Sequence, residues 1–182
     1  GMDSQKTNSY GMKVFHSFDG FELQSYTSST DTNVIFSYDA DWGNTDSHFP
    51  YVYDYFSETL RDRKSFNQEF RAVSDSADFQ KNSFFEWVIG ANYLELKESN
   101  LKKDDGLYGD PSDPYGPYAS ASASSSKYKS SNFSVFGNLD YLLSASLKFS
   151  IGLRWEDWEA DYSDSLQESF NPTDKMSGGK IS

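Results

Sequence analysis

The chain has 182 residues and a formal net charge of −12, with Lys+Arg 16 against Asp+Glu 28. That length holds one domain, and the acidic balance argues against a nucleic-acid binder, which needs basic side chains to displace counterions from phosphates. Aromatics reach 18%, too many for a disordered chain, and the lack of Cys removes disulfides, zinc ribbons and thiol nucleophiles together. No apolar run approaches the roughly 18 residues of a membrane-spanning helix, so a helical membrane protein is excluded. The N-terminus shows no basic patch, apolar stretch or cleavage site of a secretion signal. Gly1 before Met2 is expected to be a residue left by tag removal, and 1–7 a short tail ahead of one β-domain at 8–182.

In chain order the dominant period is two. Ser9–Phe18 and Phe21–Ser28 read as strands joined by Asp19-Gly20, a strong hairpin signal. Thr32–Asp41 follows, with Val34, Phe36 and Tyr38 alternating with Ile35, Ser37 and Asp39. Residues 42–64 then read as a long polar loop, with a helical turn or two over Tyr53–Arg63 as the one exception to the β pattern. The next strands are Ser65–Asp75 and Ser83–Glu98, joined by a turn over Ser76–Asn82. In the second, Phe85, Trp87, Ile89, Ala91 and Tyr93 form an apolar stripe. A second long loop is expected at 99–130. Ser131–Leu143 and Ser146–Tyr162 come next, joined tightly near Leu143–Ala145. The second of these alternates Leu147, Phe149, Ile151, Leu153 and Trp155 with polar residues. A third loop at 163–175 leads to Lys175–Ser182. The fold expected is all-β, an antiparallel meander of about seven or eight strands forming a partial or small closed β-barrel.

Short and long connections alternate, which places the tight turns at one end of the sheet and the long loops at the other. Outer-membrane barrels have this layout. Several strands also match the roughly 9–11 residues a tilted strand needs to cross a bilayer. Trp87, Tyr93, Tyr141, Trp155 and Trp158 fall where the apolar stripes end, as an interfacial girdle would. The competing expectation is the ordinary core of a sandwich.

Particular segments carry a resemblance. SFNQEFRAVS at 65–74, EWVIGANY at 86–93, SNFSVFGNLDY at 131–141, LKFSIGLRW at 147–155 and KMSGGKIS at 175–182 resemble consecutive barrel strands of TonB-dependent receptors, in the same order and spacing. What the resemblance implies is an outer-membrane importer with a barrel of about 22 strands, an N-terminal plug and a TonB-contacting segment. The plug, the TonB-contacting segment and the barrel-closing final strand have no counterpart here. The chain is therefore expected to be a middle segment of such a barrel, an expressed piece or a truncated gene product, which does not transport by itself. Uptake of a siderophore, metal chelate or other nutrient is the function implied for the whole. Implied partners are the remainder of a receptor barrel or a second copy of this chain, a small nutrient ligand, and outer-membrane lipid, with no nucleic acid among them. The alternative is a self-contained small β-barrel or β-sandwich acting as a ligand-binding, sugar-binding or adhesion module.

Two groups are candidate sites. Glu69, Arg71, Glu86, Asp140 and Arg154 occupy the polar face of the strands, where opposite charges must pair or meet water. The resemblance makes them lumen-facing, and Arg71 and Arg154 are expected to pair with Glu69, Glu86 or Asp140. A purely structural ion-pair network is the plainer expectation. Trp42, His48, Tyr51 and Tyr53 lie in an aromatic loop of the kind that stacks on a sugar ring or a planar chelate. Packing of that loop on itself is at least as well supported. No catalytic site is expected, since G-x-S-x-G, P-loop and G-x-G-x-x-G patterns are all missing. The carboxylates from Glu156 to Asp164 alternate between faces and do not form a glycosidase pair. The acidic stretch from Asp104 to Asp113 departs from EF-hand spacing. No metal and no cofactor are expected.

Overall fold

The computed structural model describes residues 1–43, 46–75, 85–144 and 147–166, together with the backbone of 173–181. Among the described residues seven strands are present: β1 (Met2–Phe18), β2 (Phe21–Asp39), β3 (Val52–Ser74), β4 (Phe85–Gly109), β5 (Tyr118–Ser144), β6 (Leu147–Asp164) and β7 (Thr173–Ile181). They form one antiparallel sheet in sequence order. Among the described residues β1 and β7 do not pair, so the sheet is open. This is a single layer, neither a closed small barrel nor a two-layered sandwich.

The accessible surface shows how little of the chain is interior. It exposes 12935 Å², whereas a compact soluble protein of its mass exposes roughly 8,900 Å². Ala160 is the one hydrophobic residue that is buried among those described; Ser37, Ser57 and Ser134 are the buried polar ones. Among the described residues no hydrophobic core holds this sheet together. Backbone ladders, cross-strand pairs and whatever covers its two faces must do so.

The Asp19-Gly20 hairpin forms as the sequence dictates. Gly20 takes φ 84°, open to glycine at no steric cost, and Phe18 and Phe21 stack across the turn at 4.9 Å. Elsewhere the strands are longer than their apolar stripes. The expected tail at 1–7 pairs with β2 from Met2 opposite Ser37 onward. Phe21–Ser28 and Thr32–Asp41 are one strand, because Thr30 and its neighbours pair on both sides, with Ser9 and with Ser65. The expected loop at 42–64 is strand from Val52, and no helical turn exists at Tyr53–Arg63. The expected loop at 99–130 is strand except for 110–117. The expected loop at 163–175 shrinks at both ends, with β6 reaching Asp164 and β7 starting at Thr173; 167–172 lie outside the described residues. The expected connections at Ser76–Asn82 and Ala145 also fall largely outside them.

Register aligns the apolar stripes into one band. On β5, Tyr141, Leu139 and Val135 stand between Phe85, Trp87 and Ala91 of β4 and Phe149, Ile151 and Trp155 of β6. The band continues through Ala72 and Phe70 of β3, Leu23 of β2, and Val14 and Met12 of β1. Its polar interruption, Ser25, Thr27 and Gln68, is internally satisfied: Thr27 donates to Gln68 Oε1 (2.6 Å) and Gln68 Nε2 donates to Ser25 (3.0 Å). Trp158 does not belong to the girdle. It pairs with Asn132, one pleat out of phase with Trp155, and so lies on the opposite face.

Candidate functional site

The face opposite the apolar band is mainly polar, with Val88, Leu94, Leu96, Phe136 and Trp158 among its apolar exceptions. Glu69, Arg71, Glu86, Asp140 and Arg154 all fall on it, but they form three separate clusters. Arg71 is the hub of the first. Its Nε donates to Gln24 (2.6 Å), its Nη2 donates to the Tyr26 hydroxyl (2.7 Å), and its Nη1 lies 3.6 Å from Glu69. The guanidinium also sits 4.6 Å from the centre of the Tyr26 ring, a cation–π contact. In the second cluster Lys148 reaches Asp140 (2.7 Å) and Glu86 (3.6 Å). Those two carboxylates face each other across β4 and β5, so a cation between them offsets like-charge repulsion. In the third, Arg154 pairs with Glu156, donates to the buried Ser134 (3.1 Å) and lies 5.7 Å from the Phe136 ring. Arg154 therefore pairs with none of the three expected carboxylates.

Two glycines on this face are roofed by rings. A Cβ on Gly90 would stand 2.5 Å from Phe136 Cζ, and one on Gly106 would stand 2.3 Å from Tyr55 Cε1. Each ring covers backbone that would otherwise face solvent, a device that also pins strand register.

Toward the long-loop end the polar face carries residues that sequence reasoning assigned to loops. Arg63 donates to Glu98 Oε2 (2.7 Å), and Arg61 donates to Asn100 Oδ1 (2.8 Å) while standing 3.7 Å from Glu98. Ser57 donates to Asp104 (2.7 Å), with Lys102 at 3.0 Å; these two groups hold the Asp104 carboxyl below the usual carboxylate range. All four arginines of the chain lie on this face. Arg61 and Arg63 were hidden because neither alternating set through 53–63 is uniform: Phe56 and Leu60 interrupt the acidic set, and Tyr53 and Tyr55 precede the polar one.

The aromatic loop is partly assembled. His48 packs edge-on against Tyr53 (5.1 Å), which contacts Tyr55 (4.7 Å). Tyr51 donates its backbone N–H to the His48 carbonyl (2.7 Å) but leaves its side chain exposed. Trp42 is 89% exposed and apart from the others, with φ 57°, a left-handed conformation uncommon for a bulky residue. Asp41 fastens this loop. It accepts the N–H of Gly43 (2.8 Å) and that of Tyr55 (2.9 Å), and these bonds lower its pKa. A depressed carboxylate stabilises the fold above its ordinary titration range and loses that contribution as pH falls through its folded value. The protection factors of the Gly43 and Tyr55 amides, each taken against its intrinsic rate at the same pH, are therefore expected to fall under acid, and Asp41→Ala, which removes both acceptors, should show the low protection at neutral pH. Equal amide protection in that variant would remove Asp41 as the fastener.

A single open sheet with one apolar and one mainly polar face, and no core of its own among the described residues, has the make-up of a segment of a larger barrel. The chain belongs to the TonB dependent receptor-like β-barrel family, whose model matches residues 3–182. Members of that family are outer-membrane receptors, not enzymes. Its fold is similar to that of the ferric yersiniabactin uptake receptor FyuA from Yersinia pestis, at 13% identity and a TM-score of 0.62, covering 97% of this chain and 24% of the receptor. It is also similar to the siderophore receptor PiuA from Acinetobacter baumannii, at 15% identity and TM-score 0.57, covering 98% of this chain and 29% of that one. The ferric citrate transporter FecA gives 14% identity and TM-score 0.54, covering 97% and 23%. The chain thus spans about a quarter of the length of these receptors. None of the curated proteins matches it.

Proposed function

We propose that this chain forms a stretch of the barrel wall of an outer-membrane uptake receptor, with the apolar band against lipid and the polar face lining the aqueous interior. The observation that carries this reading is the in-register split of faces across six strands. Phe85 to Tyr93 matches the length a tilted strand needs to cross a bilayer, and the stripes of β5 and β6 stay level with it. The short Asp19-Gly20 turn marks the periplasmic end, and the loops at 40–51 and 110–117 mark the extracellular end. The remainder of the receptor pairs with the free edge of β1. In this setting Glu69, Arg71, Glu86, Asp140 and Arg154 line the lumen, held by the pairs described above.

The cargo is a small nutrient of the siderophore or metal-chelate kind. Support comes from the long-loop end of the polar face, where Tyr53 and Tyr55 offer stacking surface and Arg61 and Arg63 offer cationic donors to an anionic chelate. His48 and Tyr53 are the loop residues placed to join them; Trp42 and Tyr51 reach the ligand only if the loop folds over it. Passage needs the rest of the barrel.

The chain has no Cys, so single cysteines report on the faces cleanly. In vesicles, Leu153→Cys is expected to react with a lipid-soluble maleimide and resist a membrane-impermeant one, while Asn138→Cys does the reverse. Equal labelling of both sites by the aqueous reagent would overturn the assignment of faces.

A further inference from the structure

At the long-loop end the rim of the sheet has a step. Asp39, Phe56, Asp105 and Ala121 stand in one row across β2 to β5, whereas β6 stops lower, at Asp164 opposite Ser126. Its end is closed off. Ser165 donates its N–H to the Ser125 carbonyl (2.9 Å) and accepts the Ser125 N–H on Oγ (2.9 Å). Leu166 then donates its N–H to Asp164 Oδ1 (2.7 Å), which turns the chain off the ladder. Since Ser125 directs its N–H and carbonyl toward β6, alternation directs those of Ala119, Ala121 and Ala123 the same way. Nothing among the described residues pairs with them there, and all three are exposed.

Edges of this kind are usually blunted by charge, proline or a bulge. Tyr118–Ser126 has no charged residue and no proline, and its register with β4 is unbroken. The free edge of β1, by contrast, carries Asp3, Lys6 and Lys13. An undefended edge about 20 Å long is matched by an extended backbone of about six residues. A second copy standing in the same orientation is blocked, because below Ser126 the place beside β5 is taken by β6. A free peptide entering from solvent is not. Side-chain preference follows from the rows flanking the edge. Ala119, Ala121 and Ala123 leave the outward side shallow. On the polar face Ser120 lies beside Gly106, and the Tyr55 ring reaches over that glycine. A Cβ on Gly106 would stand 2.3 Å from Tyr55 Cε1 and 2.7 Å from Ser120 Oγ. An aromatic side chain laid over Ser120 would meet that ring.

We propose that the raised edge of β5 takes up a short extended peptide as an added strand, antiparallel to β5, with an aromatic side chain on the polar face against Tyr55. This site goes beyond the reading of the chain as barrel wall, since it needs the sheet and its step but not the bilayer. In antiparallel pairing, residues directly opposite each other share a face. The peptide residues that bond to Ala119, Ala121 and Ala123 therefore turn their side chains outward, and the aromatic residues between them point their N–H groups away from β5.

The probe is a dye-labelled hexapeptide of alternating threonine and tyrosine, titrated by fluorescence anisotropy against the whole chain in detergent micelles, with strand content checked by circular dichroism. The peptide N-methylated at its tyrosines should bind like the parent, whereas N-methylation at its threonines should weaken binding on the order of tenfold. Ala121→Pro removes an edge donor without touching the β4 ladder and should also weaken binding about tenfold. Ala121→Val keeps the donor and should bind as the native chain does. The gain from tyrosine over serine in the peptide should vanish in Tyr55→Leu. Equal binding of the two methylated peptides, or full binding by folded Ala121→Pro, would overturn the proposal. So would dimerisation of the chain that Ala121→Pro abolishes, since the edge would then belong to a second copy. A tyrosine preference that survives in Tyr55→Leu would overturn the aromatic contact. The labelling of the two faces in vesicles is read separately, so failure of the wall reading leaves these outcomes standing.

Discussion

Ile89→Arg is expected to destabilise the bilayer-inserted chain by about 2–4 kcal/mol, the cost of a cation at the midplane of a membrane barrel's lipid face. Ile89 is 54% exposed and lies midway along the stripe from Phe85 to Tyr93. In a water-soluble protein a substitution at so exposed a position shifts stability by only about 0.5 kcal/mol in either direction. The two environments therefore predict costs that differ several-fold for one and the same change. Urea unfolding in vesicles measures it, with Asn138→Arg, one pleat away on the polar face, as the internal control. A cost at Ile89 no larger than at Asn138 would mean that the apolar band does not face lipid.

Gly90→Val should cost about 1–3 kcal/mol through overpacking, and for a reason independent of the membrane. Its Cβ would stand 2.5 Å from Phe136 Cζ, 2.8 Å from the Phe70 carbonyl oxygen and 3.0 Å from Arg71 Cβ. The ring can swing away, but the carbonyl belongs to the β3–β4 ladder and cannot move without straining it. Displacing Phe136 also removes the surface beneath Arg154. Gly11→Val is the contrast, since its Cβ would meet nothing nearer than Thr27 O at 3.9 Å. Combining Gly90→Val with Phe136→Leu should recover part of the loss, because neighbours sharing one space are non-additive. Equal stability of the Gly90 and Gly11 variants, read from the same denaturant titration, would dismiss the roofing of glycine as a structural device.

What the residues reveal in advance depends on which solvent each face meets. Within the band one face is apolar and the other polar, so Phe85 to Tyr93, Phe133 to Tyr141 and Leu147 to Trp155 announce their strands by alternation alone. Beyond the aromatic edge both faces are polar. Arg61-Asp62-Arg63-Lys64 and the Ala/Ser run from Ala119 to Ser126 keep the strand conformation but lose the contrast that betrays it, so they read as loops. The polar-face clusters were half legible. Alternation puts Glu86, Asp140 and Arg154 on a common face, but which of them touch depends on register between strands. Lys148, diagonal to Asp140 across β5 and β6, becomes the partner only once that register is fixed. The exposure of Trp42 comes from a backbone turn that no periodicity encodes.

One consequence follows from how far β5 outruns its neighbour. Its last register partner on β6 is Ser126 opposite Asp164, whereas its pairing with β4 continues to Tyr118 opposite Tyr108. From Ala119 to Ser124, among the described residues, the strand is laddered on one side only. In an antiparallel ladder successive amides point alternately to the two neighbours, so every second N–H in this stretch points away from β4. Deuterium uptake along β5 should therefore be uniform from Ser126 to Tyr141 and stuttering from Ser124 to Ala119, fast and slow amides in turn. Any segment of the complete receptor that comes to rest on this edge would silence the fast set and leave the slow one unchanged. The strand is a built-in gauge of its own coverage.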